Sequence, residues 1–408
     1  MGWQLRLYLA VSRALPLIAP LVLRRRLARG KEDPARWREK LGQASAARPD
    51  GPLIWLHAVG LGEVLALRGL IGALALQRPE LWFLVTSTTR ASATVLAANL
   101  PGRTLHQFLP LDAPGYLGAF LDHWRPDLSV WAEQDLWPGA VLAADRRGIP
   151  LALVNARMND AAYARRSRAR RLFGDLYARF GLIAAQDAPT AALLARLGAV
   201  ARIGPSLKAA APALAADAQT LGALRRAVQG RRLWLAASTH APDEAVALAA
   251  QAVLFAADPA WLLILAPRIA ARGAGIVAGV QLPVTQRSAG QAPGGAVYVA
   301  DTFGEMGLWY RLCPVTLIGG SFNAVEGHNP WEPAALGSAI LHGPRTANFA
   351  ADYALLGQGA ARLVSADTLA DALHADPAPF AARARALADA AQGSLAPLAR
   401  DLIALMLR

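Results

Sequence analysis

A glutamate beside a glycine-containing turn is the first candidate for chemistry. From His57 to Val64, an apolar strand runs into the turn formed by Gly60 and Gly62, and a helix follows. Glu63 would then lie in the first helical turn, where the two glycines let a substrate approach the backbone closely. A carboxylate in that position can act as a general base. The alternative is an acidic residue that only the helix dipole favours.

Three more charged residues are candidates for a role in chemistry. Glu133 and Asp135 leave the same apolar run two residues apart, so they could orient a base or stabilise developing positive charge. The alternative for this pair is a solvated loop. Lys208 lies near a predicted domain junction, where its charge could neutralise an anionic sugar or phosphate. The alternative is an ordinary surface lysine.

The second half carries a pattern typical of a nucleotide site. Arg268 can pair with phosphate as a bidentate donor, and Glu332 can accept hydrogen bonds from two vicinal ribose hydroxyls. A glycine-rich turn before a helix offers N–H groups to a phosphate, so we expect a helix after Gly320 to help stabilise that charge. The motifs Gly-Gly-Ser and Asn-Pro-x-Glu-Pro indicate a nucleotide site far more specifically together than either does alone. Further strand-end segments are Ser238–His240 and Asp301–Glu305.

The elements that would position these residues are short, continuous apolar runs after residue 50. Such runs predict strands buried on both faces of a parallel sheet, and the helical stretches between them fit βαβ units. Two sets of five strands indicate two doubly wound α/β domains, with a boundary between Gly204 and Gly230. The predicted strands are Leu53–Ala58, Trp82–Ser87, Leu128–Ala132, Leu151–Asn155, Leu182–Ala185, Leu233–Ala237, Leu262–Ala266, Val297–Ala300, Val315–Ile318 and Ala339–Leu341.

The N-terminus combines an apolar stretch with a basic cluster. Residues 5–23 are strongly apolar, but their longest charge-free run is shorter than the roughly 20 residues that a spanning helix needs. We therefore predict an interfacial helix whose basic flank binds anionic lipid. The alternative is an amphipathic helix packed on its own domain. No small-residue cleavage site follows, which argues against a removable signal peptide. The basic cluster is Arg24, Arg25, Arg26, Arg29 and Lys31.

Composition restricts the class of protein and its partners. The 408 residues are 54% apolar and 17% charged, which excludes a disordered chain. The net charge of +13 favours an anionic partner. The basic run 165–171 could hold phosphates of an anionic acceptor, or form a solvated helix face; it lacks the interleaved aromatic residues typical of nucleic-acid binding. One cysteine and scattered histidines predict neither a disulfide nor a structural metal.

At these residues the sequence resembles the 3-deoxy-D-manno-oct-2-ulosonic acid (Kdo) transferases of lipopolysaccharide core biosynthesis. The similarity runs from the N-terminal apolar stretch almost to the C-terminus. Together the shared motifs are specific, although each alone would not be. They are WLHAVGLGEV, PLDAPG, AEQDLWPG, LVNARM, STHAPDE, ILAPR, DTFGEMG, IGGSF and GHNPWEPAALG.

The resemblance implies a GT-B glycosyltransferase fold, with two Rossmann-like domains facing a cleft and a membrane-associated N-terminal helix. It implies an inverting, metal-independent transfer of Kdo from CMP-Kdo, the donor substrate, to the 6′-hydroxyl of a lipid A precursor (lipid IVA). The implied location is the cytoplasmic face of the inner membrane, and no cofactor or nucleic-acid partner is expected. The domains we expect are 1–31 (helix), 32–207 (acceptor domain) and 208–408 (CMP-sugar domain with closing helices).

The resemblance also assigns roles residue by residue. Glu63 falls on the family's catalytic base, and Glu133 and Lys208 fall on positions that assist the transition state. The CMP-binding segments fall on Pro267, Arg268, Phe303, Gly304, Glu305, Asn329, Pro330, Trp331 and Glu332. The glycine-rich turn adds Gly320 and Ser321 as donor-binding candidates.

Several positions depart from the family pattern. Gly60 stands where the family usually has serine, Asp135 where it has glutamate, and Ile269 where it has histidine. A transferase of the same fold that uses another sugar nucleotide is therefore one alternative. A non-catalytic, membrane-bound nucleotide- or lipid-binding protein is another, although the retention of Glu63 together with the second-domain pattern argues against it.

Overall fold

A computed structural model describes residues 1–97 and 99–408 of the chain, which form two compact α/β units. The first unit contains Met1–Ala211 and Ala391–Arg408, and the second contains Pro212–Ala390. The strands of the first unit are β1 Leu53–His57, β2 Trp82–Ser87, β3 Thr104–Phe108, β4 Leu128–Ala132, β5 Leu151–Ala156, β6 Leu182–Ala185 and β7 Arg202–Ile203. Those of the second are β8 Arg232–Thr239, β9 Trp261–Pro267, β10 Val284–Gln286, β11 Val297–Val299, β12 Val315–Ile318, β13 Ala339–His342 and β14 Ala361–Leu363.

Helices connect the strands in both units. The first unit contains α1 Trp3–Ser12, α2 Leu15–Ala28, α3 Leu61–Gln77, α4 Arg90–Ala97, α5 Pro114–Trp124, α6 Pro138–Asp145, α7 Asp160–Ser167, α8 Arg170–Tyr177 and α9 Ala188–Arg196. The second contains α10 Ala218–Ala227, α11 Ala241–Ala257, α12 Gly273–Gly279, α13 Met306–Leu312, α14 Trp331–Ala334, α15 Ala350–Leu356 and α16 Leu369–His374. The C-terminal helices are α17 Ala378–Gly393 and α18 Leu395–Met406. Short 3-10 helices span Trp37–Leu41, Ala270–Arg272 and Ala347–Phe349.

Each unit is built on one parallel sheet of seven strands. The strand order is β3-β2-β1-β4-β5-β6-β7 in the first unit and β10-β11-β9-β8-β12-β13-β14 in the second. In both sheets the first strand lies in the interior. Later strands are added first on one side of it and then on the other, as in Rossmann-like doubly wound folds. The reversal creates a crevice between β1 and β4 in one unit and between β8 and β12 in the other. Loops at the carboxyl ends of these strands are the expected ligand sites.

All ten predicted strands are present, and the four strands that the sequence analysis missed are the edge strands of the two sheets. These are β3, β7, β10 and β14. An edge strand pairs on one side only and is often short. Here it lacks the continuous apolar run of a central strand: both residues of β7 are exposed, and β10 is half-buried throughout. The predicted five-strand sets are therefore the interiors of seven-stranded sheets.

The boundaries between the two units differ from the domain boundaries that we expected. The expected junction after residue 207 lies four residues before the observed one after Ala211. The expectation that the closing helices belong wholly to the second domain is corrected, since residues 391–408 join the first unit. The reason is apolar packing: Leu395, Leu398 and Leu402 of α18 are buried in the same cluster as Leu67 and Leu70 of α3.

The predicted N-terminal helix is a bent pair, α1 and α2, that meet at 55°. Pro16 lies at the start of α2, where a residue without an N–H group is tolerated but cannot extend the preceding helix. Among the described residues no single helix is long and apolar enough to cross a bilayer, whereas this bent pair meets the length and composition criteria together.

The first helix is also part of the first unit. Leu5 is completely buried, and the hydroxyl of Tyr8 donates to Asp112 Oδ2 at 2.6 Å. The same carboxylate accepts the backbone N–H groups of Gly139 and Ala140 at 2.8 Å, at the start of α6. Burial raises the pKa of Asp112, and these hydrogen bonds oppose that shift. The aspartate of the PLDAPG motif thus joins α1 to α6.

We expect Tyr8→Phe to lower the free energy of unfolding by about 1.5–3 kcal/mol, the usual contribution of a hydrogen bond to a charged group. The phenyl ring keeps the packing of α1 and removes only the donor to Asp112. Denaturant unfolding of the variant against wild type measures the effect. Tyr116→Phe, at a half-buried tyrosine of α5, is the matched control. Equal losses in both variants would show that the Asp112 contact contributes nothing specific.

Candidate functional site

Glu63 lies in the first turn of α3, directly beyond β1, where the sequence analysis expected it. Its Oε2 atom accepts the backbone N–H groups of Val59 at 3.1 Å and Gly60 at 3.0 Å, and its side chain is half-buried. A Cβ atom at position 60 would lie only 3.1 Å from Oε1. The glycine therefore leaves space beside this oxygen that a serine side chain would partly fill. The turn holds the carboxylate in a fixed orientation.

A buried ion pair follows the neighbouring strand β4. Glu133 is 5% exposed, and its Oε1 atom lies 2.5 Å from Lys208 Nζ. Asn155 Nδ2 donates to the same oxygen at 3.3 Å, while Asn155 Oδ1 accepts the N–H of Leu207 at 3.2 Å. Glu133 and Asn155 have φ angles of 63° and 50°, which are uncommon outside glycine and are often found at functional sites. The structure thus brings Glu133 and Lys208 together.

The charge of Glu63 acts on both carboxylates that follow β4. Burial raises the pKa of Glu133; the Lys208 charge opposes this shift, and the Glu63 charge adds to it. Burial also raises the pKa of Asp135; Glu63 adds to that shift as well, and two arginines of α7 oppose it. Glu63 therefore belongs to the same electrostatic cluster as the two acids after β4.

The basic run 165–171 divides into a structural and an exposed part. Arg166 is buried; its Nη2 donates to the carbonyl of Gln134 at 2.5 Å, and its guanidinium lies 5.3 Å from the Phe173 ring centroid. This arginine positions the loop after Glu133. The exposed members are Arg165, Arg168, Arg170 and Arg171.

In the second unit, the glycine-rich turn after β12 differs from the expected phosphate loop. Residues 319–330 form turns and extended segments, so the helix that we expected after Gly320 is wrong; the next helix, α14, has four residues. The N–H of Gly320 donates to Asp243 Oδ2 at 2.8 Å. Ser321 is completely buried, and its hydroxyl donates to the Ile318 carbonyl at 2.5 Å. These contacts give both residues structural roles.

Arg268 and Glu332 lie close enough for their charges to interact. Arg268 follows β9 and is exposed, and its charge acts on the carboxyl of Glu332 in α14. Burial raises the pKa of Glu332, and Asn329, Arg268 and Tyr310 oppose the shift. The Asn329 amide and the Tyr310 hydroxyl lie 3.4 Å from the two Glu332 oxygens, contacts too long to occupy the oxygens fully. The two oxygens of Glu332 can therefore still accept hydrogen bonds from a ligand, within the influence of the Arg268 charge.

The other donor-site candidates lie around these two residues or in the loop after β11. Pro267 ends β9, and Pro330 and Trp331 are buried at the start of α14. In the loop after β11, Phe303 is 58% exposed and Gly304 has a φ of 86°. Glu305 forms an ion pair with Arg287 at 2.7 Å. Burial acts to raise the pKa of the Glu305 carboxyl, but the hydrogen bonds from Arg287 and Thr302 outweigh it and lower that pKa.

Two histidines to which the sequence analysis gave no role also meet in the second unit. His240 Nε2 and His328 Nε2 lie 3.0 Å apart, and their ring planes are 18° from parallel. Their sequence separation is 88 residues, so spacing along the chain carried no signal for the contact.

Two Rossmann-like units in one chain are the architecture of the GT-B class of glycosyltransferase folds. A UDP-GlcNAc 2-epimerase from Neisseria meningitidis has a similar structure, with a TM-score of 0.59 and 11% identity. The match covers 88% of this chain and 100% of that chain. At this identity the likeness supports the fold alone.

Sequence comparisons then define the family. Residues 35–210 match the family model for 3-deoxy-D-manno-octulosonic-acid transferase (kdotransferase). A Bordetella pertussis 3-deoxy-D-manno-octulosonic acid transferase is 33% identical over 93% of each chain. A probable mitochondrial 3-deoxy-D-manno-octulosonic acid transferase from Arabidopsis thaliana is 33% identical over 84% of this chain and 80% of its own. The chain belongs to the Kdo transferase family of glycosyltransferases. This confirms the resemblance.

Proposed function

We propose that the protein transfers Kdo from CMP-Kdo to the 6′-hydroxyl of a lipid A precursor, lipid IVA, with inversion at the anomeric carbon. The observation that carries the proposal is the fixed carboxylate of Glu63. It is held by two backbone N–H groups beyond β1, in a chain of this family, and it shares a cluster with the Glu133–Lys208 pair.

In this mechanism Glu63 accepts the proton of the acceptor hydroxyl as its oxygen attacks the anomeric carbon. The bond from that carbon to the phosphate oxygen breaks, and CMP leaves with the electron pair. General-base catalysis of this kind supplies about 10²–10⁴-fold. Glu133 and Lys208 assist as a fixed pair of opposite charges, whose orientation the Asn155 amide maintains.

The second unit binds the donor. Arg268 stabilises the negative charge on the leaving phosphate, and Glu332 accepts hydrogen bonds from the ribose. Loop residues beside them complete the nucleotide site: Pro267, Phe303, Gly304, Glu305, Asn329, Pro330 and Trp331. Gly320 and Ser321 shape this site from beneath through their contacts with Asp243 and Ile318.

Competition between nucleotides tests the donor. We expect CMP to displace a fluorescent cytidine nucleotide from the purified protein far better than UDP does. Preferential displacement by UDP would overturn the donor assignment and favour a transferase of the same fold with another sugar nucleotide. The exposed Ile269, which stands where the family has histidine, would then be the first residue to exchange.

Glu332→Gln should remove the preference of the protein for ribose. The amide replaces one acceptor oxygen by a donor, so it cannot accept from both vicinal hydroxyls. We expect wild type to bind CMP at least tenfold more tightly than 2′-deoxy-CMP, and the variant to bind the two nearly equally. Equilibrium titration with each nucleotide measures the ratio. An unchanged preference in the variant would exclude Glu332 from the ribose site.

We also propose that the α1–α2 pair docks the protein on the cytoplasmic face of the inner membrane. The exposed side chains of this pair are mostly large and apolar, and exposed basic residues follow at its end. Such a surface binds apolar lipid with one part and anionic headgroups with the other. The apolar members are Trp3, Leu7, Val11, Leu17, Ile18, Leu21 and Val22, and the basic members are Arg24, Arg25, Arg26, Arg29 and Lys31.

Replacement of Leu17, Ile18, Leu21 and Val22 by serine should abolish flotation with anionic liposomes. The four side chains are exposed, so their loss leaves the core intact, whereas deletion of residues 1–31 would also remove the Tyr8–Asp112 bond. A variant with four exposed apolar residues exchanged elsewhere is the matched control. Its positions are Leu76, Val200, Val253 and Leu363. Flotation of the α2 variant as efficient as that of wild type would refute membrane docking.

A further inference from the structure

The His240–His328 contact forms a hydrogen-bonded pair of imidazoles. Their Nε2 atoms are 3.0 Å apart, and the ring planes are 18° from parallel, with centroids 5.2 Å apart. A hydrogen bond at this distance requires one Nε2 to carry hydrogen and the other to accept. In the neutral pair the accepting ring carries its hydrogen on Nδ1. A further proton would give the pair a positive charge and two Nδ1–H donors.

The pair lies above the crevice of the second sheet. His240 directly follows β8, and His328 lies in the loop after β12, so the contact joins the two strands between which the strand order reverses. Ligands of doubly wound sheets bind beyond the strand ends at this point. A Cβ atom on Gly320 would lie 3.3 Å from His328 Nε2, so the glycine permits the close approach of the ring.

The charges around the pair are suited to an anion. Arg268, at the end of the neighbouring strand β9, and Asp243, in the first turn of α11, are the charged groups that act on His328. Burial, the Arg268 charge and His240 lower the pKa of His328 to about 4, and Asp243 opposes the shift. At neutral pH His328 is therefore uncharged without a ligand. An anion beside it would favour uptake of one proton, because the added negative charge stabilises the imidazolium.

We propose that His240 and His328 act as one unit that binds the phosphate of the sugar nucleotide and takes up a proton as the phosphate binds. This inference rests on the proposed donor, a cytidine nucleotide. It adds a second phosphate contact to Arg268 and explains why two polar rings meet at the crevice. The histidines are binding residues and do not transfer a proton to or from the acceptor.

The test compares a nucleotide with its nucleoside. His328→Phe keeps an aromatic ring of similar shape and removes its polar atoms. We expect the variant to bind CMP about tenfold or more weakly than wild type and to bind cytidine equally well, since cytidine has no phosphate. His328→Gln should restore part of the affinity, because its amide can donate one hydrogen bond. His374→Phe, at an exposed histidine of α16, is the matched control and should bind both ligands as wild type does.

A measurement on wild type alone does not depend on the folding of a variant. Calorimetric titration in two buffers of different ionisation enthalpy, with the methyl phosphodiester of CMP as the ligand, should reveal proton uptake near neutral pH. This ligand keeps a single fixed charge, so the proton must enter the protein. Absence of uptake would overturn the proposal, as would equal losses of CMP and cytidine affinity in His328→Phe. If wild type binds no cytidine nucleotide, the proposed donor fails as well; if it binds CMP and the variant binds equally, only the role of the pair fails.

Discussion

Glu63→Gln should lower the rate of Kdo transfer by about 10²–10⁴-fold, the usual contribution of a general base. The amide oxygen can still accept the N–H groups of Val59 and Gly60, so the turn before α3 should keep its shape. The amide cannot take the proton of the attacking hydroxyl. CMP binding should be unchanged, because the donor residues lie in the second unit. Initial rates with saturating donor and acceptor measure the loss.

Two comparisons make this prediction specific. Glu80→Gln, which neutralises a partly exposed acid of the same unit, should transfer Kdo at the wild-type rate. Unfolding midpoints of both variants should match wild type, which separates lost chemistry from lost structure. Wild-type turnover by Glu63→Gln would exclude this residue as the base.

Lys208→Met should destabilise the first unit by about 3 kcal/mol at pH 7, the low end of the cost of breaking a buried ion pair. Lys208 is 16% exposed and Glu133 is 5% exposed, so the remaining carboxylate would be left unpaired in a poorly solvated site. The double variant Lys208→Met with Glu133→Gln should recover most of the stability, since it leaves no uncompensated charge. Denaturant unfolding of both variants and wild type measures the coupling.

The loss in Lys208→Met should depend on pH in a defined direction. Burial already raises the pKa of Glu133, and removal of the Lys208 charge raises it further. A carboxyl whose pKa is higher in the folded state favours folding only while it holds its proton. The deficit should thus be small near pH 4, below the ordinary glutamate pKa, and should grow as the pH rises toward 7. A deficit that is equal at pH 4 and pH 7 would show that the electrostatic account is wrong.

Sequence reasoning predicted those parts of the fold that depend on local patterns. Central strands such as Leu262–Ala266 are continuous apolar runs because neighbours cover both faces and both edges. The edge strand Thr104–Phe108 contains histidine and glutamine, so its composition does not distinguish it from a loop. The position of Glu63 was predictable for the same reason, because the strand, the glycine turn and the acid follow one another directly in the sequence.

Contacts over long sequence separations were beyond that reasoning. Asn155 reaches Glu133 across 22 residues, and His240 reaches His328 across 88. The prediction of a phosphate-binding turn and helix at Gly320 was wrong for a related reason. The N–H groups of the turn looked available for a phosphate, but Asp243, which lies 77 residues before Gly320, accepts one of them. Such a partner can be identified only when the strands that bring the loops together have been placed.

Incubation of the purified protein with CMP-Kdo and lipid IVA, followed by mass spectrometry of the lipid, tests the central claim most directly. The mechanism predicts a mass gain of one or more Kdo residues with wild type and a gain reduced at least a hundredfold with Glu63→Gln. A lipid of unchanged mass, from a protein that binds CMP and the acceptor, would contradict the proposed transfer.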